Sequence, residues 1–346
     1  MKRFSAFRIH ADRAGIESLS LADLTPGDVV IRVHWSGINY KDALAGTGKG
    51  RIVRRFPLVG GVDLAGTVLE SSAPAFRPGE KVLVTGCGLS ETRDGGYAEI
   101  ARVPAEAVVP LPPTLSLKDA MAVGTAGFAA ALAITQMEHN GLAPGQGAVA
   151  VTGATGGVGM LAIDMLARRG YEVVAFSRRE QSRALLLALG AKSVEVLPTT
   201  PASSEGGARG IDVATLSNRP LEVERWAGAI DNVGGPLLSW LLRSTRAQGS
   251  VAAVGLAGQA TLDVSLMPFL LRGVNLLGVN SAGTQRAKRL AVWQRIATDL
   301  APRHLDRIAS EIISLPQLPE ALDNVLAGRH TGRTLVRLNE DEAGTA

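Results

Sequence analysis

One run of residues constrains this chain more than any other: Val151-Thr152-Gly153-Ala154-Thr155-Gly156-Gly157-Val158-Gly159. It follows the apolar stretch 148–152, which reads as a strand. After it, Val158, Leu161, Ala162, Met165 and Leu166 recur at the i, i+3, i+4, i+7, i+8 spacing of one helical face. A strand, a glycine turn and a helix in that order put unpaired N–H groups and a positive dipole end at the turn, the chemistry that holds a pyrophosphate. Gly156 lets the backbone approach phosphate oxygens, and Gly159 lets the helix pack on the strand. Against a strict G-x-G-x-x-G spacing, Ala154 stands at the first glycine, with Gly153 just before it.

The same texture continues downstream. Residues 172–176 read as a buried strand and 182–189 as a helix closed by Gly190, with further strands at 227–231, 250–256 and 275–280. Strands alternating with helices imply an α/β, doubly wound parallel sheet. The first part reads differently. The β-branched run 29–35 follows the turn Pro26-Gly27-Asp28, and 81–84 follows Pro78-Gly79-Glu80. Pro104, Pro110, Pro112 and Pro113 exclude long helices up to about residue 115. The helix-compatible stretch 117–138 comes next, and Arg333-Thr334-Leu335-Val336-Arg337 reads as a terminal strand that rejoins the first domain. The expected division is a β-rich domain over 1–120 and 300–346 around an inserted dinucleotide-binding domain over 121–299, in keeping with 346 residues and two cores. Residues 199–210 read as a polar surface loop without chemistry, and the last seven as a loose tail.

Charge and cysteine content exclude several classes. The net charge is +4, from 36 Lys and Arg against 32 Asp and Glu, and no basic block resembles a nucleic-acid arm. A single cysteine, Cys87, allows no disulfide framework and no structural zinc cluster. The N-terminus lacks the apolar core of a signal peptide. The longest apolar run, 120–135, is shorter than the roughly 18 residues a membrane span needs. The expectation is a cytoplasmic protein that meets neither membrane nor nucleic acid.

The end of the second strand selects the cofactor. An enzyme using NAD places Asp or Glu there to hold the ribose 2′-hydroxyl, whereas this chain reads Ser177-Arg178-Arg179. A hydroxyl and guanidinium groups suit a 2′-phosphate, which makes NADPH the expected cofactor. Glu180 comes one step late for the ribose contact.

With these residues in view, the sequence resembles the zinc-independent quinone oxidoreductase branch of the medium-chain dehydrogenase/reductase superfamily, and within it the acryloyl-CoA reductase group. The resemblance is carried by His34-Trp35-Ser36-Gly37-Ile38-Asn39-Tyr40-Lys41-Asp42-Ala43-Leu44, Gly46-Thr47-Gly48-Lys49-Gly50, Gly61-Val62-Asp63-Leu64-Ala65-Gly66-Thr67-Val68, and Gly124-Thr125-Ala126-Gly127-Phe128. It continues through Trp226-Ala227-Gly228-Ala229-Ile230-Asp231, Met267-Pro268-Phe269 and Gly332-Arg333-Thr334-Leu335-Val336, nearly the whole chain.

This resemblance implies a Rossmann domain inserted in a β-rich, GroES-like catalytic domain. It implies metal-free chemistry as well: zinc-dependent relatives carry Gly-His-Glu where this chain has Gly61-Val62-Asp63, and no cysteine lies near residues 36–42. The implied reaction adds hydride to the activated C=C bond of a short enoyl-CoA such as acryloyl-CoA, giving propanoyl-CoA. A quinone or enone substrate, or a non-catalytic NADPH-binding regulatory role, stands as the alternative. Tyr40 is implied beside the nicotinamide as proton donor or orienting group, or as a strand-end residue that only packs, and Asn39 as a holder of cofactor amide or substrate. The implied cofactor contacts are Tyr40, Thr125, Thr155, Gly156, Gly157, Val158, Ser177, Arg178, Arg179, Leu256, Ser281 and Arg333, with Asn280 standing where the family has Asp. Lys49, Arg51, Arg54 and Arg55 fall in a loop that the family places near the active-site mouth, to meet CoA phosphates or to stay solvated. Relatives form homodimers through a sheet edge, here 276–279.

Overall fold

The computed structural model describes residues 3–197 and 219–339, so the loop 199–210 and the tail after residue 339 lie outside the described residues. The chain divides into two compact units. One is formed by Met1–Ala126, Ser281–Ala297 and Leu305–Ala346, the other by Gly127–Asn280 and Thr298–His304.

In the second unit six strands pair in parallel. Their order is Ser193–Val196, Glu172–Ser177, Ala148–Val151, Trp226–Asp231, Thr245–Ala253 and Asn275–Gly278. Numbered along the chain this is 3-2-1-4-5-6, the doubly wound order of dinucleotide-binding sheets. Ser193–Val196 is too short and too polar for its burial to be read from sequence: only Val194 of its four residues is buried. Beneath the sheet Phe176, Trp226 and Trp240 meet edge to face, with centroids 5.6 to 5.9 Å apart. Each such pair contributes about 0.5–1.5 kcal/mol beyond area burial. Asn275–Gly278 is one of the two outer strands of this sheet, with Leu276 and Gly278 exposed.

The first unit is built on a seven-stranded sheet whose longest strands, Val29–Gly37 and Asp63–Ser71, pair antiparallel. The terminal strand Thr334–Arg337 inserts between Glu311–Ser314 and Val29–Gly37, pairing Leu335 with Gly37. That pairing brings residue 333 next to the end of Val29–Gly37, where the chain turns into the short helix Tyr40–Gly46. Val29, Ile31, Val33, Leu64, Val82 and Val84 fill the core of this unit.

Two differences from the sequence reading have physical causes. Residues 281–297, expected with the nucleotide-binding domain, pack with the first unit because Arg289 and Arg286 spend their guanidinium groups on its carbonyls: Arg289 on Thr85, and Arg286 on Glu106 and Val108. Residues 298–304 return to the second unit, where buried Asp164 accepts from the main-chain N–H groups of Arg303 and His304. The other difference lies in Leu117–His139, which covers the stretch 117–138 that the sequence marks as helix-compatible. It breaks at Gly124, whose φ of 50° and ψ of −158° lie outside the helical region. By length and composition this helix would reach across a bilayer, but 83% of its apolar stretch is buried inside the protein, as befits a core helix.

Candidate active site

The helix Tyr40–Gly46 starts in a closed knot of polar side chains. Asp42 accepts from the main-chain N–H of Asn39 at 2.9 Å, which ties the first turn to its own N-cap, and from Val62 N–H at 2.8 Å. The Asn39 amide spends both hydrogens on carboxylates, donating to Asp42 Oδ2 at 3.1 Å and Asp63 Oδ2 at 2.8 Å. Its Oδ1 accepts from Arg333 at 2.8 Å. Asp63 accepts in addition from Thr125 N–H at 3.0 Å and Thr125 Oγ1 at 2.5 Å. The Arg333 guanidinium also reaches the carbonyls of Ile38, Met121 and Ala122.

Gly124 makes this knot possible. A Cβ at that position would lie 2.4 Å from the Arg333 guanidinium and 2.7 Å from Asp63 Oδ2, in addition to the strain of its positive φ. The helix therefore breaks where the ion pair passes.

Electrostatics follow from burial. Asp42 is pushed up to about 7, first by desolvation and then by the neighbouring charge of Asp63, while its hydrogen bonds to Asn39 and Val62 pull the other way. Tyr97, whose hydroxyl donates to the Gly37 carbonyl, is pushed well above the usual phenol value by burial. Tyr40 is different: it projects from the knot with 49% of its surface exposed. A phenol held on a rigid base and open to a ligand is a candidate hydrogen-bond or proton donor.

The second unit presents a separate surface at the carboxyl ends of its first and fourth strands, where the strand order reverses and open α/β sheets bind ligands. Thr155, Gly156, Gly157 and Val158 lie half-buried at the start of helix Gly157–Arg168. A Cβ on Gly156 would meet nothing nearer than Gly153 O at 3.4 Å, so open space lies over the helix N-terminus. A Cβ on Gly159 would lie 2.4 Å from Gly153 O and 2.7 Å from Ala154 Cα, so this glycine serves packing. Asn232 staples the turn from the fourth strand by donating to Thr152 O at 2.7 Å, and its buried Oδ1 has no partner. An acceptor orphaned beside an open glycine turn fits a ligand carrying donors, as a dinucleotide's hydroxyls do. Buried Asp231 locks the base of the turn, accepting from Thr152 Oγ1 at 2.6 Å and Gly234 N–H at 2.7 Å. Ser177 and Arg179 form a tight turn after the second strand, with Ser177 Oγ accepting from Arg179 N–H at 3.0 Å, and Arg178 is exposed.

The expected site residues thus fall into distinct environments. Asn39, Thr125 and Arg333 meet in one network of the first unit, from which the adjacent Tyr40 projects, while Thr155, Gly156, Gly157, Val158, Ser177, Arg178 and Arg179 line the turn region of the second. Leu256 is 63% exposed beyond the fifth strand. Ser281 is half-buried and lends its carbonyl to Arg289. Two residues differ from their expected roles for a stated reason. Both ends of the Asn39 amide are consumed inside the protein, and Arg333 is 2% exposed with its donors directed at carbonyls, Asn39 and Asp63. Each therefore positions other groups. The sequence reading passed over Asp42, Asp63, Asn232 and Asp231. The Asn39-to-Asp42 spacing of a helix cap was a visible signal; the pairing of Thr152 with Asp231 across 79 positions had none.

These features define a class. Residues 25–113 match the alcohol dehydrogenase GroES-like domain family and residues 157–298 the zinc-binding dehydrogenase family, and the chain belongs to the medium-chain dehydrogenase/reductase superfamily that these two domains compose. Within it, the chain is 44% identical over 329 residues to the acrylyl-CoA reductase AcuI of Ruegeria pomeroyi, covering 94% of this chain and 95% of that one. It is 45% identical over 323 residues to YhfP of Bacillus subtilis, named among the quinone oxidoreductases, covering 93% of this chain and 94% of that protein. The crystal structure of YhfP with NAD bound superposes with a TM-score of 0.89 at 41% identity, covering 98% of this chain and all 100% of that one. Escherichia coli YhdH, crystallised with NADPH, gives a TM-score of 0.89 at 42% identity, covering 96% and 100%.

The donor set does not suit the zinc of the second family's name. Val62, between Gly61 and Asp63, brings no donor atom, and among the described residues no three His, Cys, Asp or Glu side chains converge as metal ligands.

Proposed function

We propose that this chain is an NADPH-dependent reductase that converts the C=C bond of a short enoyl-CoA thioester, acryloyl-CoA, to the saturated propanoyl-CoA without metal. The observation that carries the substrate is the 44% identity to a named acrylyl-CoA reductase across 94% of the chain. In this reading the unit Gly127–Asn280 holds the cofactor and the unit containing Tyr40 holds the substrate.

The residues present suit NADPH. The helix Gly157–Arg168 offers its first N–H groups over an open glycine turn, and Asn232 Oδ1 offers a free acceptor. Exposed Arg178 receives the 2′-phosphate, while buried Ser177 shapes the turn that carries it, with no carboxylate at the end of Glu172–Ser177 to repel it. The bound cofactor supplies the hydride that the substrate's Cβ receives. Tyr40 donates a hydrogen bond to the thioester carbonyl, so that negative charge developing there on hydride addition is stabilised, and the resulting enolate takes its Cα proton from water. Asn39, Asp42, Asp63 and Arg333 contribute rigidity, fixing the first turn of the helix and with it the phenol.

Assembly is part of the proposal. Among the described residues Asn275–Gly278 is paired on one side only, with Leu276 37% exposed, and Leu266, Leu270 and Leu271 nearby in sequence are 68%, 75% and 66% exposed. A bare edge beside so much apolar surface invites a second copy, which supports a homodimer through 276–279. A cytoplasmic location completes the reading.

The test is a steady-state assay of NADPH oxidation with acryloyl-CoA, with free acrylate and with a quinone. The expected result is turnover of the thioester well above the other two. The Tyr40→Phe variant should retain NADPH affinity and melting temperature while losing about 100-fold in turnover. Quinone turnover exceeding that of the thioester would transfer the assignment to the reaction for which YhfP is named.

A further inference from the structure

We propose that the loop 47–57 of the first unit is a binding site for the 3′-phosphorylated adenosine diphosphate end of the CoA thioester, and so sets the preference for the CoA ester over simpler acyl groups. This rests on the reading of the chain as an enoyl-CoA reductase and adds the element that recognises the carrier.

The loop follows directly from the helix whose first residue is Tyr40. At 1.5 Å per residue that seven-residue helix is ~10 Å long, so the loop that follows it starts within the reach of an extended pantetheine arm from the helix end that carries the phenol. The loop has a fixed scaffold. Gly50 N–H donates to Leu44 O at 3.1 Å, Ile52 N–H to Gly50 O at 2.9 Å, and Arg54 N–H to Glu91 O at 2.8 Å. Ile52 and Val53 pack against the core cluster containing Phe7, Ile38 and Leu318. With those two side chains turned inward, Lys49, Arg51, Arg54 and Arg55 are left exposed around them.

None of the four cations forms an ion pair among the described residues. Glu91, whose carbonyl anchors Arg54, commits its carboxylate to Lys41. The whole chain carries a surplus of only +4, so four uncompensated charges on one ordered loop equal the net charge of the molecule. Like charges carried on one short loop repel one another, and a polyanion relieves that cost. Phe56 adds a second element: it is 49% exposed directly beside Arg55. An exposed aromatic ring is a stacking surface for a nucleobase, and guanidinium groups pair bidentately with phosphate oxygens. A pyrophosphate, a 3′-phosphate and an adenine ring are the charged and aromatic parts of the CoA nucleotide, and the loop offers a partner to each.

The experiment uses the full chain saturated with NADP+, so that the cofactor's own phosphate site is filled. Binding of adenosine 3′,5′-bisphosphate is measured by calorimetry for the unaltered protein, for the double variant Arg54→Ala, Arg55→Ala, and for Phe56→Ala, with melting temperature as the folding control. In parallel, KM and kcat are measured with acryloyl-CoA and with acryloyl-pantetheine, which lacks the nucleotide. The expected result is loss of bisphosphate binding by about tenfold or more in each variant. KM for acryloyl-CoA should rise by a similar factor, with kcat, NADPH affinity and the KM for acryloyl-pantetheine unchanged. Equal bisphosphate affinity in variant and unaltered protein overturns the proposal, as does an equal rise in KM for both esters. A weakened NADPH affinity in the variants also overturns it, by assigning the loop to the cofactor. If bisphosphate binds through the loop but neither ester is reduced, the enoyl reductase reading falls and the nucleotide site stands.

Discussion

The guanidinium of Arg333 stands 3.4 Å from the carboxylate of Asp63, and the two side chains are 2% and 0% exposed. A charge pair this deeply buried is costly to desolvate, and its geometry matters more than its Coulomb energy. Here the remaining valences are filled by Asn39, Thr125 and main-chain carbonyls, so the pair fastens the end of Val29–Gly37, the start of helix Tyr40–Gly46 and the break at Gly124 to one another. Asp63→Asn leaves the guanidinium buried and uncompensated. The expected loss is about 3–5 kcal/mol of stability for the first unit, read from urea unfolding followed by a probe in that unit. A loss below about 1 kcal/mol would reduce the pair to an incidental contact.

A neighbouring carboxylate gives the network a pH signature. Asp42 titrates near 7 in the folded chain, against 3.8 for an ordinary aspartate, because burial and Asp63 disfavour its charge. Below 3.8 the group is neutral in both the folded and the unfolded chain. Between 3.8 and about 7 the unfolded chain releases the proton and the folded chain keeps it, so unfolding is accompanied by proton release. Stability contributed by this group is therefore lost as pH rises across that window and is level above it. Melting temperature measured from pH 5 to 8 (about the neutral window) should show a downward component that disappears in Asp42→Asn. An identical pH profile in that variant would assign the slope to other groups.

How much of this was legible beforehand follows from the range over which each signal acts. The parallel sheet could be read because strands such as Glu172–Ser177 and Trp226–Asp231 are buried on both faces and appear as continuous apolar runs. The turn at 153–159 could be read because its glycines act locally. Ser193–Val196 escaped, since half-exposed Glu195 and Ser193 leave no apolar run. The break at Gly124 escaped for another reason. Nothing in Val123-Gly124-Thr125 distinguishes a helix glycine from a kink; the cause is an arginine more than two hundred positions away, as the separation of 211 between Ala122 and Arg333 records. Likewise Asp63 lay in plain view beside Val62, yet its role depends on Thr125 and Arg333, which only folding brings to it.

The two glycines of the phosphate turn separate binding from folding. A methyl group on Gly159 meets main-chain atoms of Gly153 and Ala154 at 2.4 and 2.7 Å, where nothing flexible can give way. Gly159→Ala should destabilise the second unit by about 1–3 kcal/mol, the usual cost of overpacking. On Gly156 the same methyl meets only Gly153 O at 3.4 Å, so Gly156→Ala should melt within a degree or two (roughly 0.5 kcal/mol) of the unaltered protein. It should nonetheless bind NADPH about tenfold more weakly, because the added group stands where phosphate oxygens approach the backbone. Calorimetric Kd and melting temperature, measured together on both variants, check the pair. Unchanged NADPH affinity in Gly156→Ala would remove the phosphates from this turn.

The choice between the two nicotinamide cofactors turns on the end of Glu172–Ser177. YhfP was crystallised with NAD and YhdH with NADPH, so fold alone does not decide it. In this chain Ser177 is buried at 3% exposure, with its hydroxyl oxygen bound to Arg179 N–H, while Arg178 is exposed and makes no ion pair among the described residues. The hydroxyl thus shapes the turn, and the exposed charge is that of Arg178. A phosphate placed there gains a charge-assisted hydrogen bond of about 1.5–3 kcal/mol, whereas a ribose hydroxyl gains little. Arg178→Ala should weaken NADPH binding by roughly ten- to hundredfold and leave NADH binding within about twofold. Raising the salt concentration should narrow the difference in the unaltered protein, since the contact is exposed. Parallel Kd measurements with both cofactors decide it: equal losses for NADH and NADPH would mean that Arg178 contacts a part the two share, and the 2′-phosphate would need another holder.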